Sequence, residues 1–311
     1  MRKLGAFFKL VRWPNLLITA LMMCLVHHCL MHIESSFAFT LLVISMVLIQ
    51  AGGYVINDIF DKDIDEINKP DKIIVGEVFT EKQSNVFYIS LTIIGLACAL
   101  VASVMALGNK FITIFACMAL LACFLYSYSY RYKKKLLVGN LIVSLSVAFA
   151  VFVPWLFEMI YISKHELLLI TMQPLMRISL RFVLIYTAFA FLMTLIREIV
   201  KDMQDVVGDG RQHCRTIPIV WGMTAAQIIV IALCCVTVAN IWNAADYFSE
   251  LGFRITHYML YASGVLVFFV IGNNGILLTD KSLRLERQFH LQSMFLKTSM
   301  FIGVLSMFFI K

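Results

Sequence analysis

The stretch FAFTLLVISMVLIQAGGYVINDIFDKDIDEINKP, residues 37–70, decides how this chain can fold. Its first part, 37–56, carries no charged residue and has about the 20 residues that a helix needs to cross a bilayer. Its second part, 57–70, packs five carboxylates into the nine residues 58–66. The stretch therefore predicts an apolar membrane helix that ends in an acidic cluster at the membrane surface.

The rest of the chain repeats the apolar pattern. Hydrophobic types make up 61% of the 311 residues and charged types 14%, whereas soluble domains contain about a quarter charged residues. The apolar runs are continuous rather than alternating, which favours helices over a barrel. We predict an all-α polytopic membrane protein, one domain over 1–311, with about nine transmembrane spans: 13–33, 37–57, 86–107, 111–130, 138–160, 177–199, 217–241, 256–278 and 289–310.

The basic residues predict the orientation of these spans. Of the 26 Lys and Arg residues, 19 lie in the N-terminal segment and in the loops after the even-numbered spans, and 6 lie on the opposite side. The positive-inside rule makes the richer side cytoplasmic, so the N-terminus is inside and the C-terminus outside a cell (inner) membrane. A net charge of +7 then suits lipid headgroups and an anionic substrate, and it requires no nucleic acid.

Helical periodicity divides the first acidic cluster into two faces. At roughly 100° per residue, one face of a continuing helix carries Asn57, Asp58, Asp61 and Asp65. Asp63 and Glu66 point away from that face and are expected to be solvated. The shared face is the candidate binding face.

A second acidic cluster repeats the same spacing. Asp202, Asp205 and Asp209 have the offsets of Asp58, Asp61 and Asp65, and Glu198 lies on the same face four residues earlier. Each cluster follows an even-numbered span, so both lie on the predicted cytoplasmic side. We therefore predict two similar halves, each of which presents an acidic helix end to a shared cavity.

Converging carboxylates repel one another unless cations lie between them. Oxygen ligands favour Mg²⁺ or Ca²⁺ over zinc, and Mg²⁺ completes its shell with water and substrate phosphate. Two such clusters facing each other would hold a diphosphate between them. The residues thus predict a divalent cation, Mg²⁺ or Ca²⁺, as cofactor.

Three other interpretations of the acidic residues compete with a metal site. An EF-hand is excluded because its sixth position would be Glu66 instead of Gly and its twelfth Lys72 instead of Glu. A plain solvated loop explains one cluster more easily than two with equal spacing on one side. A cation-coupled transporter stays open as an alternative, although its charged residues would be expected near mid-membrane.

Basic residues on the same side are candidate ligands for phosphate oxygens. They are Arg12, Lys69, Lys72, Lys134, Arg211 and Arg215, and Arg12, Lys69, Lys134 and Arg211 are the ones assigned to the diphosphate. Tyr130 and Lys134 are spaced i, i+4 and would share a helix face. Each of these residues could instead serve only to fix the topology.

The chain resembles the UbiA superfamily of intramembrane prenyltransferases over nearly its full length. The motif N-D-x-x-D-x-x-x-D is present at 57–65, D-x-x-D-x-x-x-D at 202–209 and Y-x-x-x-K at 130–134. An R-x-P-like start of the first span is present as Arg12 and Pro14. The resemblance implies nine helices around a central cavity, with cytoplasmic loops that cap the acidic motifs.

The resemblance also implies an activity and a set of site residues. The activity is Mg²⁺-dependent transfer of a polyprenyl group from its diphosphate to a lipophilic acceptor within the membrane. The motifs look most like those of the archaeal-type branch, whose acceptor is geranylgeranylglyceryl phosphate; an aromatic acceptor such as 4-hydroxybenzoate or a naphthoate remains the alternative. The residues expected to act in catalysis are Asp61, Asp205, Tyr130 and Lys134, and those expected to bind metal are Asn57, Asp58, Asp61, Asp65, Asp202, Asp205 and Asp209.

Overall fold

A computed structural model describes residues 2–30, 36–63, 73–211, 214–279 and 285–310. Within these ranges the regular structure is helical, apart from one isolated bridge between Val75 and Phe79. The α-helices are α1 Arg2–Leu10, α2 Trp13–Leu30, α3 Ser36–Phe60, α4 Glu81–Leu107, α5 Phe111–Tyr130, α6 Val138–Ile162, α7 Glu166–Thr171, α8 Gln173–Gln204, α9 Val206–Arg211, α10 Ile217–Val220, α11 Met223–Glu250, α12 Arg254–Thr279 and α13 Leu285–Ser306.

Seven helical segments in the described part of the chain are long and apolar enough to cross a membrane. The number becomes eight if α1 and α2, which meet at a 53° bend, form one broken span. The prediction of a helical multi-pass membrane protein is therefore confirmed, while the predicted number of nine spans stays a prediction.

One of the seven segments, 81–130, folds back on itself. The rings of Tyr88 in α4 and Tyr126 in α5 stack with centroids 6.2 Å apart. In a straight helix, positions 38 residues apart would be separated by about 57 Å. The reversal occurs at Gly108, whose φ of +53° is readily adopted by glycine. The segment is therefore an antiparallel helix pair.

By its internal contacts the chain divides into two compact units. Unit 1 comprises Met1–Lys133 and Phe149–Val183, and unit 2 comprises Lys134–Ala148 and Leu184–Lys311. The acidic residues at the end of α3 belong to unit 1, and those at the end of α8 belong to unit 2. Each unit is therefore described separately.

An apolar cluster in unit 1 holds the end of α3 in place. Leu10, the last residue of α1, and Val11, which follows it, pack with Val55 of α3. Val75 and Phe79, which precede α4, complete the same buried cluster. A capping box of Thr80 and Gln83 then starts α4. The acidic end of α3 thus extends from a well-packed base.

A ladder of buried polar contacts joins α12 to α13 in unit 2. Such contacts hold membrane helices together because lipid offers no competing hydrogen bonds. The ladder runs antiparallel, with Thr256 Oγ1 donating to the Ser306 carbonyl (3.0 Å), the Ser263 and Ser299 hydroxyls 2.7 Å apart, and Asn274 Nδ2 donating to Gln292 Oε1 (3.0 Å).

Helix α13 also packs closely against α8. The hydroxyls of Tyr186 and Ser306 lie 2.8 Å apart in a buried contact. Three residues before Ser306, Gly303 lets the Phe189 ring approach so closely that a Cβ there would lie 2.5 Å from its Cε1. The two contacts show that α8 and α13 are antiparallel. They also fix the register of the α8 segment that leads to the second acidic cluster.

Gly303→Ala should lower the thermal stability of the detergent-solubilised protein. The added methyl group would force the buried Phe189 ring to move, and overpacking of this kind costs about 1–3 kcal/mol. Gly275→Ala in α12 is the matched control, because no atom beyond its chain neighbours and the nearby backbone of α12 lies within 4 Å of the position that its added methyl group would take. Equal melting temperatures for the two variants would contradict the tight α8–α13 contact.

Candidate active site

The first acidic cluster lies where α3 ends. Asn57 in the last turn and Asp61, just beyond Phe60, are both buried, and Asn57 Nδ2 donates to Asp61 Oδ2 at 2.6 Å. The Asp61 N–H donates to the Asn57 carbonyl at 2.9 Å, so Asp61 keeps the helical register one residue past the helix. Asp63 is exposed, as predicted. Asp65 lies outside the described residues.

Arg12 joins the start of α2 to this cluster. Its Nη2 lies 2.8 Å from Asp58 Oδ1, and its guanidinium lies over the Tyr54 ring at 4.8 Å. Arg12 sits between α1 and α2 with a φ of +53°, and the backbone turn directs the chain into α2. Arg12, which is predicted to bind diphosphate, therefore forms an ion pair with Asp58, which is predicted to bind metal.

Lys133 is a functional candidate that sequence reasoning missed. Its Nζ contacts Asp61 Oδ2, the same oxygen that accepts from Asn57. The lysine predicted from helical spacing was Lys134, which is exposed, because a helix was expected to continue from Tyr130. Helix α5 instead ends at Tyr130 and a 3₁₀ turn follows at Tyr132–Lys134. The run of three lysines was the available signal, but the change of helix type altered which lysine faces the carboxylate.

Tyr130 lies beside the cluster rather than on a carboxylate. Its side chain is 64% exposed, and its ring stacks on Tyr126 (centroids 6.0 Å apart) and meets Phe60 edge-on at 5.8 Å. Phe60 directly precedes Asp61. Tyr130 therefore belongs to an aromatic surface next to the first cluster.

The second acidic cluster spans a break between two helices. Helix α8 ends at Gln204, Asp205 forms a bend, and α9 continues at Val206–Arg211. The Asp205 N–H donates to the Lys201 carbonyl, and the Asp209 N–H donates to that of Asp205. The i, i+4 hydrogen bonds continue across the bend. Asp202, Asp205 and Asp209 therefore keep the helical spacing predicted from the sequence, although the helix is interrupted at Asp205.

Asp202 is the residue around which negative charge accumulates. Glu198 and Asp209, both buried, repel its carboxylate, while Lys201 attracts it. Asn140 in the first turn of α6 donates from Nδ2 to Asp202 Oδ2 at 2.8 Å. Asn140 was also missed by sequence reasoning, although an amide one turn into an apolar span was a signal for it.

The loop after α9 also contacts the second cluster. The Cys214 N–H donates to the Asp209 carbonyl at 2.9 Å, and the Arg215 N–H donates to the Lys134 carbonyl at 3.0 Å. The predicted phosphate ligand Arg211 is exposed at the end of α9. The predicted ligand Lys69 lies outside the described residues.

The donor atoms of the two clusters fit a hard divalent cation. They are carboxylate and amide oxygens, which suit Mg²⁺. In the described ranges no group of three or more His, Cys, Asp or Glu side chains is close enough to hold an ion on its own. Mg²⁺ needs only one or two carboxylates when water and phosphate complete its shell, so each cluster has enough oxygen ligands for such an ion.

These features define an all-helical, multi-pass membrane protein with an acidic helix end in each of two units. The chain belongs to the UbiA prenyltransferase family, whose model matches residues 11–298. It is therefore an enzyme of the prenyltransferase class.

Two similar proteins are both digeranylgeranylglyceryl phosphate synthases. The protein from Ignicoccus hospitalis is 32% identical over 79% of this chain and 74% of its own length. The protein from Saccharolobus solfataricus is 33% identical over 60% of this chain, and the match spans 59% of that protein's length.

Solved structures show the same fold. A digeranylgeranylglyceryl phosphate synthase structure matches 100% of this chain and 99% of its own at a TM-score of 0.65 and 22% identity. A UbiA homolog from Archaeoglobus fulgidus, bound to DMAPP and Mg²⁺, matches 96% of this chain and 98% of its own at a TM-score of 0.58 and 15% identity.

Proposed function

We propose that this protein transfers a polyprenyl group from its diphosphate to geranylgeranylglyceryl phosphate, or to a lipid of that type, in a reaction that requires Mg²⁺. The observation that carries the proposal is a pair of oxygen clusters, the buried Asn57 and Asp61 in unit 1 and Asp202 with the buried Glu198 and Asp209 in unit 2. Each cluster ends an apolar helix, as a substrate with a charged head and a hydrocarbon tail requires. The two similar synthases support the choice of acceptor.

The residues that would hold the metal are the two sets of motif residues. They are Asn57, Asp58, Asp61 and Asp65 in the first and Asp202, Asp205 and Asp209 in the second. Bound Mg²⁺ would neutralise the negative charge that develops on the leaving diphosphate. Asn140 would orient Asp202 from behind.

The basic side chains would bind the remaining phosphate oxygens. Arg12 and Lys133 already lie at the first cluster, and Arg211 ends α9 beside the second. Lys134 and Lys69 are further candidates. As the allylic C–O bond breaks, its electron pair leaves with the diphosphate. The acceptor hydroxyl forms the new ether bond and releases its proton to water at the membrane surface.

We further propose the topology that this chemistry needs. Nine spans would surround a central cavity, with the N-terminus and both acidic clusters on the cytoplasmic side of the cell membrane. The C-terminus would then lie outside. An apolar cavity would exclude water, which would otherwise quench the allylic cation.

The test is an acceptor screen in membranes that contain the protein. Labelled geranylgeranyl diphosphate is supplied with geranylgeranylglyceryl phosphate, 4-hydroxybenzoate or a naphthoate, with Mg²⁺ or with EDTA, and products are identified by mass spectrometry. We expect a diether phosphate in the first arm, only with Mg²⁺. Product with an aromatic acceptor alone would refute geranylgeranylglyceryl phosphate as the acceptor. Ion-dependent uptake into liposomes without diphosphate release would indicate a transporter instead.

A further inference from the structure

We propose that Lys297, Arg197 and Lys201 form a binding site for the phosphate monoester of the acceptor lipid. This inference rests on the proposed function, because it assigns a place to one part of its substrate. The three residues, called the basic trio below, lie in unit 2, on α8 and α13.

The register of α8 and α13 places Lys297 near the acidic end of α8. Phe189 contacts Gly303 and Tyr186 contacts Ser306. Because the helices are antiparallel, each step back along α13 corresponds to one step forward along α8. Lys297 lies six residues before Gly303, which puts it level with position 195, about 9 Å along α8 from Phe189. From that level a lysine side chain reaches the last turns of α8.

Lys297 is unusual for its surroundings. It is the only Asp, Glu, Lys or Arg in the sequence between 288 and 310, within a candidate membrane span of 23 residues. Charged residues inside spans are costly and typically face a cavity or pathway used by a substrate. Lys297 is exposed, and within the described ranges it makes no hydrogen bond or ion pair.

The neighbours of Lys297 carry the same charge. Arg197 and Lys201 both repel it electrostatically. Arg197 Nη1 lies 2.9 Å from Glu198 Oε1, so Glu198 compensates charge on Arg197. Glu198 and Asp202 balance part of this positive charge, and an anion that contacts Lys297 would balance the rest.

A phosphate monoester fits this site better than a carboxylate does. It carries a charge of about −1.5 to −2 and three acceptor oxygens, as in a phosphorylated side chain. The benzoate of an aromatic acceptor carries a single charge and needs about one cation. The basic trio therefore favours a glycerol phosphate.

The distance to the second acidic cluster also suits this substrate. Asp202 directly follows Lys201, and it lies seven residues, or about 10 Å, beyond the level of Lys297. An acceptor held by its phosphate at the trio could present a glycerol hydroxyl toward the diphosphate site. A lipid headgroup phosphate of the bilayer offers the same chemistry, so the experiment must separate the two sources.

The experiment compares two acceptors with the protein in neutral detergent. One is geranylgeranylglyceryl phosphate, and the other is geranylgeranylglycerol, which lacks the phosphate. We expect Lys297→Gln to raise the KM for the phosphorylated acceptor about tenfold. A change of this size corresponds to the loss of one charge-assisted hydrogen bond. The KM for the alcohol and for geranylgeranyl diphosphate should not change. Lys297→Arg should keep the wild-type values.

Two controls make the outcome interpretable. Lys82→Gln removes an exposed lysine of α4 in unit 1 and should leave every KM unchanged. Lys201→Gln should repeat the acceptor-specific effect if Lys297→Gln does not fold, as judged by thermal melting.

Three results would overturn the inference. One is an equal rise in KM for both acceptors, and another is a rise for the diphosphate alone. The third comes from repeating the measurement in phosphatidylglycerol vesicles. An effect of Lys297→Gln on KM in the vesicles but not in detergent would assign the trio to bilayer headgroups. Wild-type protein that uses neither acceptor would instead refute the proposed function, and the inference with it.

Discussion

Asp61→Asn and Asp205→Asn should each reduce prenyl transfer by about 10³-fold or more, the scale of losing a group that stabilises charge in the transition state. Asp61 is buried at the end of α3, and Asp205 forms the bend between α8 and α9. Asparagine keeps the size of each side chain and removes the charge that would hold a cation. The two substitutions therefore test whether both units contribute to one reaction.

Asp63→Asn is the matched control for these variants. Asp63 is exposed two residues after Asp61, so its loss should leave the rate close to that of the wild type. Melting curves establish whether each variant is folded, and the rate is measured from labelled geranylgeranyl diphosphate with saturating Mg²⁺. Wild-type rates in both Asp61→Asn and Asp205→Asn would refute the proposed metal sites.

Local sequence patterns predicted most helices because the apolar runs themselves require helices in a membrane. The predicted span 138–160 corresponds to α6, and 256–278 corresponds to α12. The predicted span 177–199 is shorter than α8, Gln173–Gln204. Hydropathy detects only the apolar part of a helix, whereas the hydrogen bonding of α8 continues beyond it.

The candidate site was predictable only where its residues lie on one helix. Helical spacing placed Asn57 and Asp61 together, and the structure joins them by a hydrogen bond. Lys133 and Asn140 reach the clusters from other elements, the turn after α5 and the start of α6. The lysine run and the amide at the start of an apolar span marked these residues as candidates, but which carboxylate each one contacts depends on how the helices pack.

Lys133→Met should destabilise the metal-free protein by about 2 kcal/mol, between the values for exposed and buried ion pairs. Lys133 forms an ion pair with Asp61, and the two side chains are 21% and 6% exposed, respectively. Without Lys133 or a metal, Asp61 keeps an uncompensated charge in a largely buried place. Added Mg²⁺ should then raise the melting temperature of the variant more than that of the wild type, because the ion no longer displaces a lysine.

Lys62→Met provides the control, since it removes another lysine–carboxylate pair of unit 1. Lys62 Nζ lies 3.0 Å from Glu81 Oε1, but these side chains are 33% and 58% exposed. Exposed pairs contribute about 0–1 kcal/mol, so melting should change little and the shift with Mg²⁺ should match the wild type. Equal Mg²⁺ shifts in Lys133→Met and Lys62→Met would show that Lys133 does not compete with the ion. A larger shift in Lys133→Met alone would mean that Lys133 balances the Asp61 charge until Mg²⁺ binds, as expected if Asp61 is a metal ligand of the proposed diphosphate site.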